Sequence, residues 1–152
     1  MLTFDSVEAL ESYVIQRMQP AVRNVQEKIH QIIFNYLNAY YGEYSPRVAI
    51  RTYQILDSLV KSDVKRSGNG WEAEVYFDLG RLAHPSSYIG QDGRLVTSDW
   101  SEAKILHNVM VEGTHGGAAS GIPVWSEAMN TVNPAWIQWL KQELIAAGIP
   151  IQ

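Results

Sequence analysis

Cysteine is absent from the 152-residue chain, which excludes a disulfide framework, a thiolate nucleophile and any cysteine-ligated zinc. Charge is sparse as well. Only 18% of residues are charged, 12 basic against 16 acidic for a net charge of -4, and no run of Lys or Arg interrupts that balance. The basic face or stripe of a nucleic-acid binder is therefore missing, and no direct nucleic-acid partner is expected. No stretch approaches the roughly 18 apolar residues of a membrane span. Met1-Leu2-Thr3-Phe4-Asp5-Ser6 has neither the basic start nor the apolar segment of a secretory signal. The expectation is a protein made and used in solution in the cytoplasm, with no membrane partner. What is there is 46% apolar and 11% aromatic, enough to bury a modest core over a chain of ordinary single-domain length, about 100–150 residues. One domain, 1–152, is expected.

Residues 6–41 carry the clearest helical signal. Val22, Val25, Ile29, Ile32, Ile33, Tyr36, Leu37 and Tyr40 recur at the three-and-four spacing of one helix face, and a stripe of that length reads as a core face. Asp5 or Ser6 is positioned to cap its start, with Glu8 near the positive end of the dipole. Pro20 predicts a break between Val7–Met18 and the main helix, and Gly42 predicts its end.

A sheet region follows, over about 48–111. Leu59–Arg66 and Trp71–Leu79 read as two strands joined by Ser67-Gly68-Asn69-Gly70 in an antiparallel hairpin. In the second, Trp71, Ala73, Val75, Phe77 and Leu79 alternate with Glu72, Glu74, Tyr76 and Asp78, as in a half-buried strand. Residues 80–97 read as an extended loop or a weak hairpin over Tyr88–Val96. Ser98, Asp99, Ser101 and Glu102 open a short helix reaching Val109 or Met110, although Val109–Val111 suits a strand equally. Glu112–Gly121 is a glycine-rich loop by composition. The C-terminal helices span about 124–147: a shorter one over Val124–Thr131, then Pro134–Ala147 with Asn133 as N-cap and Gly148 and Pro150 as the stop. Trp136, Ile137, Leu140 and Leu144 form the predicted apolar face of the last.

No constellation for catalysis emerges. Of His30, His84, His107 and His115, only His107 with Glu112 and His115 resembles a ligand set, and its spacing matches no standard zinc motif. There is no Gly-x-Ser-x-Gly elbow to activate Ser120 or Ser126. Glu72, Glu74 and Asp78 share the polar face of one strand and read as its solvated side. Gly113-Thr114-His115-Gly116-Gly117 has glycines able to approach a phosphate, but it lacks the Walker lysine and the dinucleotide glycine spacing. No metal, no cofactor and no catalytic residue is assigned. Tyr40, Tyr41, Tyr44 and Tyr53 cluster around a turn, where aromatics serve either an internal cluster or an interface.

The run Tyr44-Ser45-Pro46-Arg47-Val48-Ala49-Ile50-Arg51-Thr52-Tyr53-Gln54-Ile55-Leu56-Asp57-Ser58-Leu59 resembles a family of small structural proteins of tailed bacteriophages and prophages, the head-to-tail joining, tail-completion or minor tail components. Pro46, Arg51, Thr52, Leu56 and Ser58 occupy places typical of that family. Glu74-Val75-Tyr76-Phe77-Asp78 is similar to its second strand, and Met110-Val111-Glu112-Gly113-Thr114-His115-Gly116 to its late Glu-x-Gly-Thr element. The resemblance implies an α+β fold, with a long N-terminal helix and a C-terminal helix packed on a small antiparallel sheet. It also implies a non-enzymatic role at the neck between head and tail, in the virion and, during assembly, in the host cytoplasm. Partners would be other phage structural proteins and, in a ring, further copies of the chain, which in isolation could be a monomer. Candidate subunit-contact or motif residues are Tyr44, Arg51, Thr52, Ser58, Glu112, Gly113, Thr114, His115, Gly116 and Gly117. The alternative is a cytoplasmic bacterial protein-binding module of immunity or adaptor type, which the acidic charge and aromatic content suit equally.

Overall fold

The helical periodicity of the first forty residues produces one helix, α1 (Val7–Glu43), about 55 Å long at 1.5 Å per residue. The computed structural model describes residues 2–43, 54–82, 87–90, 92–97, 101–115, 118–119 and 123–151. Ser6 caps α1: its hydroxyl accepts the Ala9 N–H at 3.1 Å. Backbone N–H and the Ser6 hydroxyl beside Glu8 hold that carboxyl below the usual range. Pro20 does not separate two helices as expected; it lies inside α1 with its ring exposed. Its missing N–H forfeits one helical bond, yet the backbone on either side is anchored to other parts of the chain. Ile15 O accepts the Trp71 indole N–H at 2.6 Å, and Arg17 Nη1 donates to Ala147 O at 2.8 Å. Tertiary packing, which supplies most of a helix's stability, carries α1 through the proline.

One flank of α1 holds a long hairpin. Its base pairs β1 (Leu59–Lys61) with β4 (Val75–Phe77), Leu59 opposite Phe77. Its tip pairs β2 (Lys65–Ser67) with β3 (Gly70–Glu72), Lys65 opposite Glu72. Between the two ladders Ser62, Asp63 and Val64 face only Ala73 and Glu74, so the first strand carries one extra residue, a β-bulge. Ser62 bridges it, its N–H donating to Glu74 O at 3.0 Å and its Oγ accepting the Glu74 N–H at 2.8 Å. Gly68, at φ +54°, makes the turn. Trp71, Ala73, Val75 and Phe77 are half-buried and Glu72, Glu74 and Tyr76 exposed, as the alternation requires. Leu79 departs from it because the chain has already entered a 3-10 turn, Leu79–Arg81, capped by Asp78.

On the other flank α4 (Val124–Val132) and α5 (Trp136–Ala146) pack against α1, α5 running antiparallel to it. The Tyr36 hydroxyl meets Thr131 Oγ1 at 2.9 Å. Further along, Asn24 Nδ2 and Lys28 Nζ reach the two Glu143 oxygens at 2.7 and 3.2 Å. Asn133 is not the N-cap of the last helix. Its N–H donates to Met129 O at 2.9 Å, which makes it the C-cap of α4, and α5 begins two residues beyond Pro134. An Asn-Pro pair ends a helix as readily as it starts one, because proline has no N–H to extend the ladder. Nor are Trp136 and Ile137 on the buried face. Both are exposed, and Leu144, with Trp139 and Leu140 partly covered, faces α1.

The core gathers around the C-terminal half of α1. Ile33, Leu37, Tyr40 and Tyr41 pack with Ile55 of α2 (Gln54–Ser58), Leu59, Leu82, Ile105 of α3 (Glu102–His107), Val109, Met110, Val124 and Ala128. Ser101 caps α3, its Oγ accepting the Lys104 N–H. The alternative strand at Val109–Val111 is overturned: Asn108–Glu112 continues α3 as a π-turn that places Asn108, Val109 and Met110 in the interior. The weak hairpin is present as β5 (Ser87–Ile89) with β6 (Leu95–Thr97). A last pair joins β7 (Thr114–His115) to β8 (Ala118–Ala119). The fold is thus α+β, with its antiparallel strands distributed over separate two-stranded ribbons rather than a continuous sheet across 48–111.

Candidate functional site

The loop singled out by composition springs from the π-turn. Val109 and Met110 anchor it in the core, whereas Val111 and Glu112 face solvent. Gly113 then reverses the chain at φ +65°, its N–H donating to Asn108 O, a left-handed cap that glycine adopts without a Cβ penalty. The reversal directs Thr114–His115 into the short ribbon with Ala118–Ala119. Glu112, Gly113, Thr114 and His115 are therefore gathered at one corner by a buried helical turn, and α4 packs against that turn. Gly116 and Gly117 lie outside the described residues, as do Tyr44, Arg51 and Thr52.

Ser58 serves a different purpose. It is fully buried where α2 passes into β1; its Oγ donates to Ile55 O at 2.8 Å and its carbonyl accepts the Asp78 N–H at 2.8 Å. This pins the start of the hairpin base and leaves no surface for a partner. Among the described residues no three His, Asp or Glu side chains lie close enough together to hold a metal ion, and His107 is exposed on α3.

Composition and motif spacing gave no weight to Gln26, the residue that seats the hairpin. Gln26 is buried on α1, and its side-chain amide donates both hydrogens across the bulge, to Ser62 O at 2.9 Å and Glu74 O at 2.8 Å. One helical residue thus satisfies two carbonyls where the ladder is interrupted. A turn further on, His30 Nε2 faces Leu59 O at 3.4 Å, its ring stacked on Phe34. Lys61 pairs with Glu27 on the adjoining edge and holds that carboxyl below the usual range. The signal was present: Gln26 stands seven residues before Ile33 and eleven before Leu37, so it occupies an apolar arc of α1, where a polar side chain implies a buried hydrogen-bonding task.

Taken together, the elements define an α+β protein built on one long helix, with a bulged hairpin on one flank, two short helices on the other and a tight glycine corner. A family model described as YomN matches residues 6–146, and the chain belongs to the YomN family, a family name of Bacillus phage or prophage derivation. The match runs from the cap of α1 to the last turn of α5. No curated protein and no solved structure matches the chain.

Proposed function

We propose that this chain is a non-enzymatic structural protein of a tailed phage or prophage, acting at the head-tail interface or in completion of the tail. The observation that carries this reading is membership, over nearly the whole chain, of a family with a phage-derived name. The head-tail assignment is supported by the likeness of the Tyr44 to Leu59 run, the Glu74 to Asp78 segment and the Met110 to Gly116 element to joining and completion proteins. Its physical content is a subunit that exposes contact surfaces on a rigid support. The corner at Glu112–His115 suits this, since a buried π-turn fixes its base, and other phage structural proteins are the partners proposed for it. In a ring, one patch on each subunit meets a different patch on the next.

Deleting the gene in an inducible strain that carries it, followed by electron microscopy of the lysate, tests the role directly. Free heads beside unattached or abnormal tails, rescued by the gene supplied in trans, are the expected result. Normal infectious particles would overturn the reading and favour the adaptor alternative.

A further inference from the structure

The side of α1 that meets α5 is a regular line. Val7, Leu10, Val14, Arg17, Ala21 and Asn24 follow one another at alternating spacings of three and four, so they share one stripe. From Arg17 onward the stripe is engaged by this chain's own α5 and its cap: Arg17 donates to Ala147 O, Ala21 is buried and Asn24 donates to Glu143. Before Arg17, beyond the half-buried Val14, that engagement ends. Val7 is 75% exposed and Leu10 42%, although they continue the same stripe by two turns. No basic residue occurs in the first sixteen, which hold Asp5, Glu8 and Glu11. Glu8 is engaged with the helix start and Ser6, whereas Glu11 is exposed, one turn from Val7 on the edge of the stripe.

The complementary surface lies on the outside of α5. Ile137, Lys141 and Ile145 follow at intervals of four along its solvent side; the isoleucines are 53% and 54% exposed, and Lys141 lies between them. The only acidic residue of α5, Glu143, is turned toward α1 and occupied by Asn24 and Lys28. We infer that the overhanging first turns of α1 dock on the outer face of α5 in a second copy of this chain, with Val7 and Leu10 against Ile137 and Ile145 and Glu11 paired with Lys141. The occupant is argued from charge. Two overhangs laid together would set acidic turn against acidic turn, whereas the outer face of α5 offers the same apolar spacing with a cation at its centre. Such a contact joins unlike patches and, repeated from copy to copy in one sense, propagates head to tail. It deepens the ring reading of the proposed function and rests on it for its biological setting.

The test is sedimentation equilibrium of the full-length purified chain over micromolar to millimolar concentration, beside the variants Leu10→Ser, Glu11→Lys, Lys141→Glu and the double reversal Glu11→Lys/Lys141→Glu. The expected result is an average mass that rises with concentration beyond that of a dimer. Leu10→Ser abolishes the rise, each single reversal weakens association about tenfold, and the double reversal restores it to within about threefold of the original. All three side chains are on the surface, and circular dichroism checks that the variants fold. A monomer at every concentration, a mass that stops at the dimer, or a double reversal no better than the singles would each overturn the inference. Failure here with defective particles in the gene deletion would leave the structural role standing and remove only this contact.

Discussion

The two ends of α1 obey one sequence pattern and meet opposite fates. From Ala21 to Tyr41 the stripe is buried at Ala21, Val25, Ile33 and Tyr41 and almost completely at Leu37 and Tyr40, with Ile29, Ile32 and Tyr36 half-buried beside it, because the hairpin closes one flank and α4 and α5 the other. At Val7 and Leu10 the same spacing continues into solvent. Periodicity therefore states which residues share a face and not whether anything in the same chain covers it. The covered end carries the stability of the molecule, and the bare end adds surface that a second body can use.

The sharpest way to break this contrast is to truncate matched residues at the two ends. Leu37→Ala empties a fully enclosed site and is expected to cost about 2–5 kcal/mol, whereas Val7→Ala, on exposed surface, stays within about 0.5 kcal/mol. Urea unfolding of both checks it, and equal costs would mean that the overhang is covered in solution. Replacing Pro20 by Ala probes the junction between the ends. It restores the missing N–H and the propensity of the helix interior, for a gain of up to about 3 kcal/mol, read as a rise in the urea midpoint; a loss would show that the proline imposes a geometry on which the flanking contacts depend. Gln26→Leu keeps the bulk and deletes both donors, leaving Ser62 O and Glu74 O without them, at an expected cost of about 1–3 kcal/mol. Hydrogen exchange should show the bulge opening first.

The smallest effect is electrostatic. The Asn24 side chain first, and then Lys28, hold the Glu143 carboxyl below its ordinary value of 4.5. Its contribution to the α1–α5 contact is therefore complete above that value and disappears as the pH falls through the lower pKa of the folded state. Being near the surface, it is worth about 1 kcal/mol or less. Glu143→Gln should be less stable than the parent at pH 6, with the difference shrinking by pH 3. A constant difference would assign the effect to shape rather than charge.

Much of the architecture could be read from local chemistry. The Ser6 cap, the Val22–Tyr40 stripe of α1, the hairpin turn at Gly68 and the alternation from Trp71 to Phe77 are decided by spacing and by which residues tolerate a positive φ. The left-handed Gly113 belongs with them as the residue on which the candidate corner turns. Readings failed where a local signal had two physical solutions. Asn133-Pro134 ends α4 instead of starting α5, whereas at Val109-Met110, where helix and strand stood equally open, the chain stays helical as a π-turn. Trp136 and Ile137 sit at apolar positions, yet the rotation of α5 about its own axis follows from Leu140 and Leu144 meeting α1. The bulge was out of reach because one surplus residue among Ser62, Asp63 and Val64 appears only when two strands are compared residue by residue.

The sequence by itself determined where helices and turns form and which residues share a face, because those properties depend on neighbours within a turn or two of chain. Only the tertiary structure decided that α1 passes unbroken through Pro20, that Gln26 seats a bulge some forty residues away, and that one end of a uniform stripe is enclosed while the other is bare. Each of those depends on which distant segment arrives to supply a hydrogen bond or remove water, and no local pattern encodes that arrival.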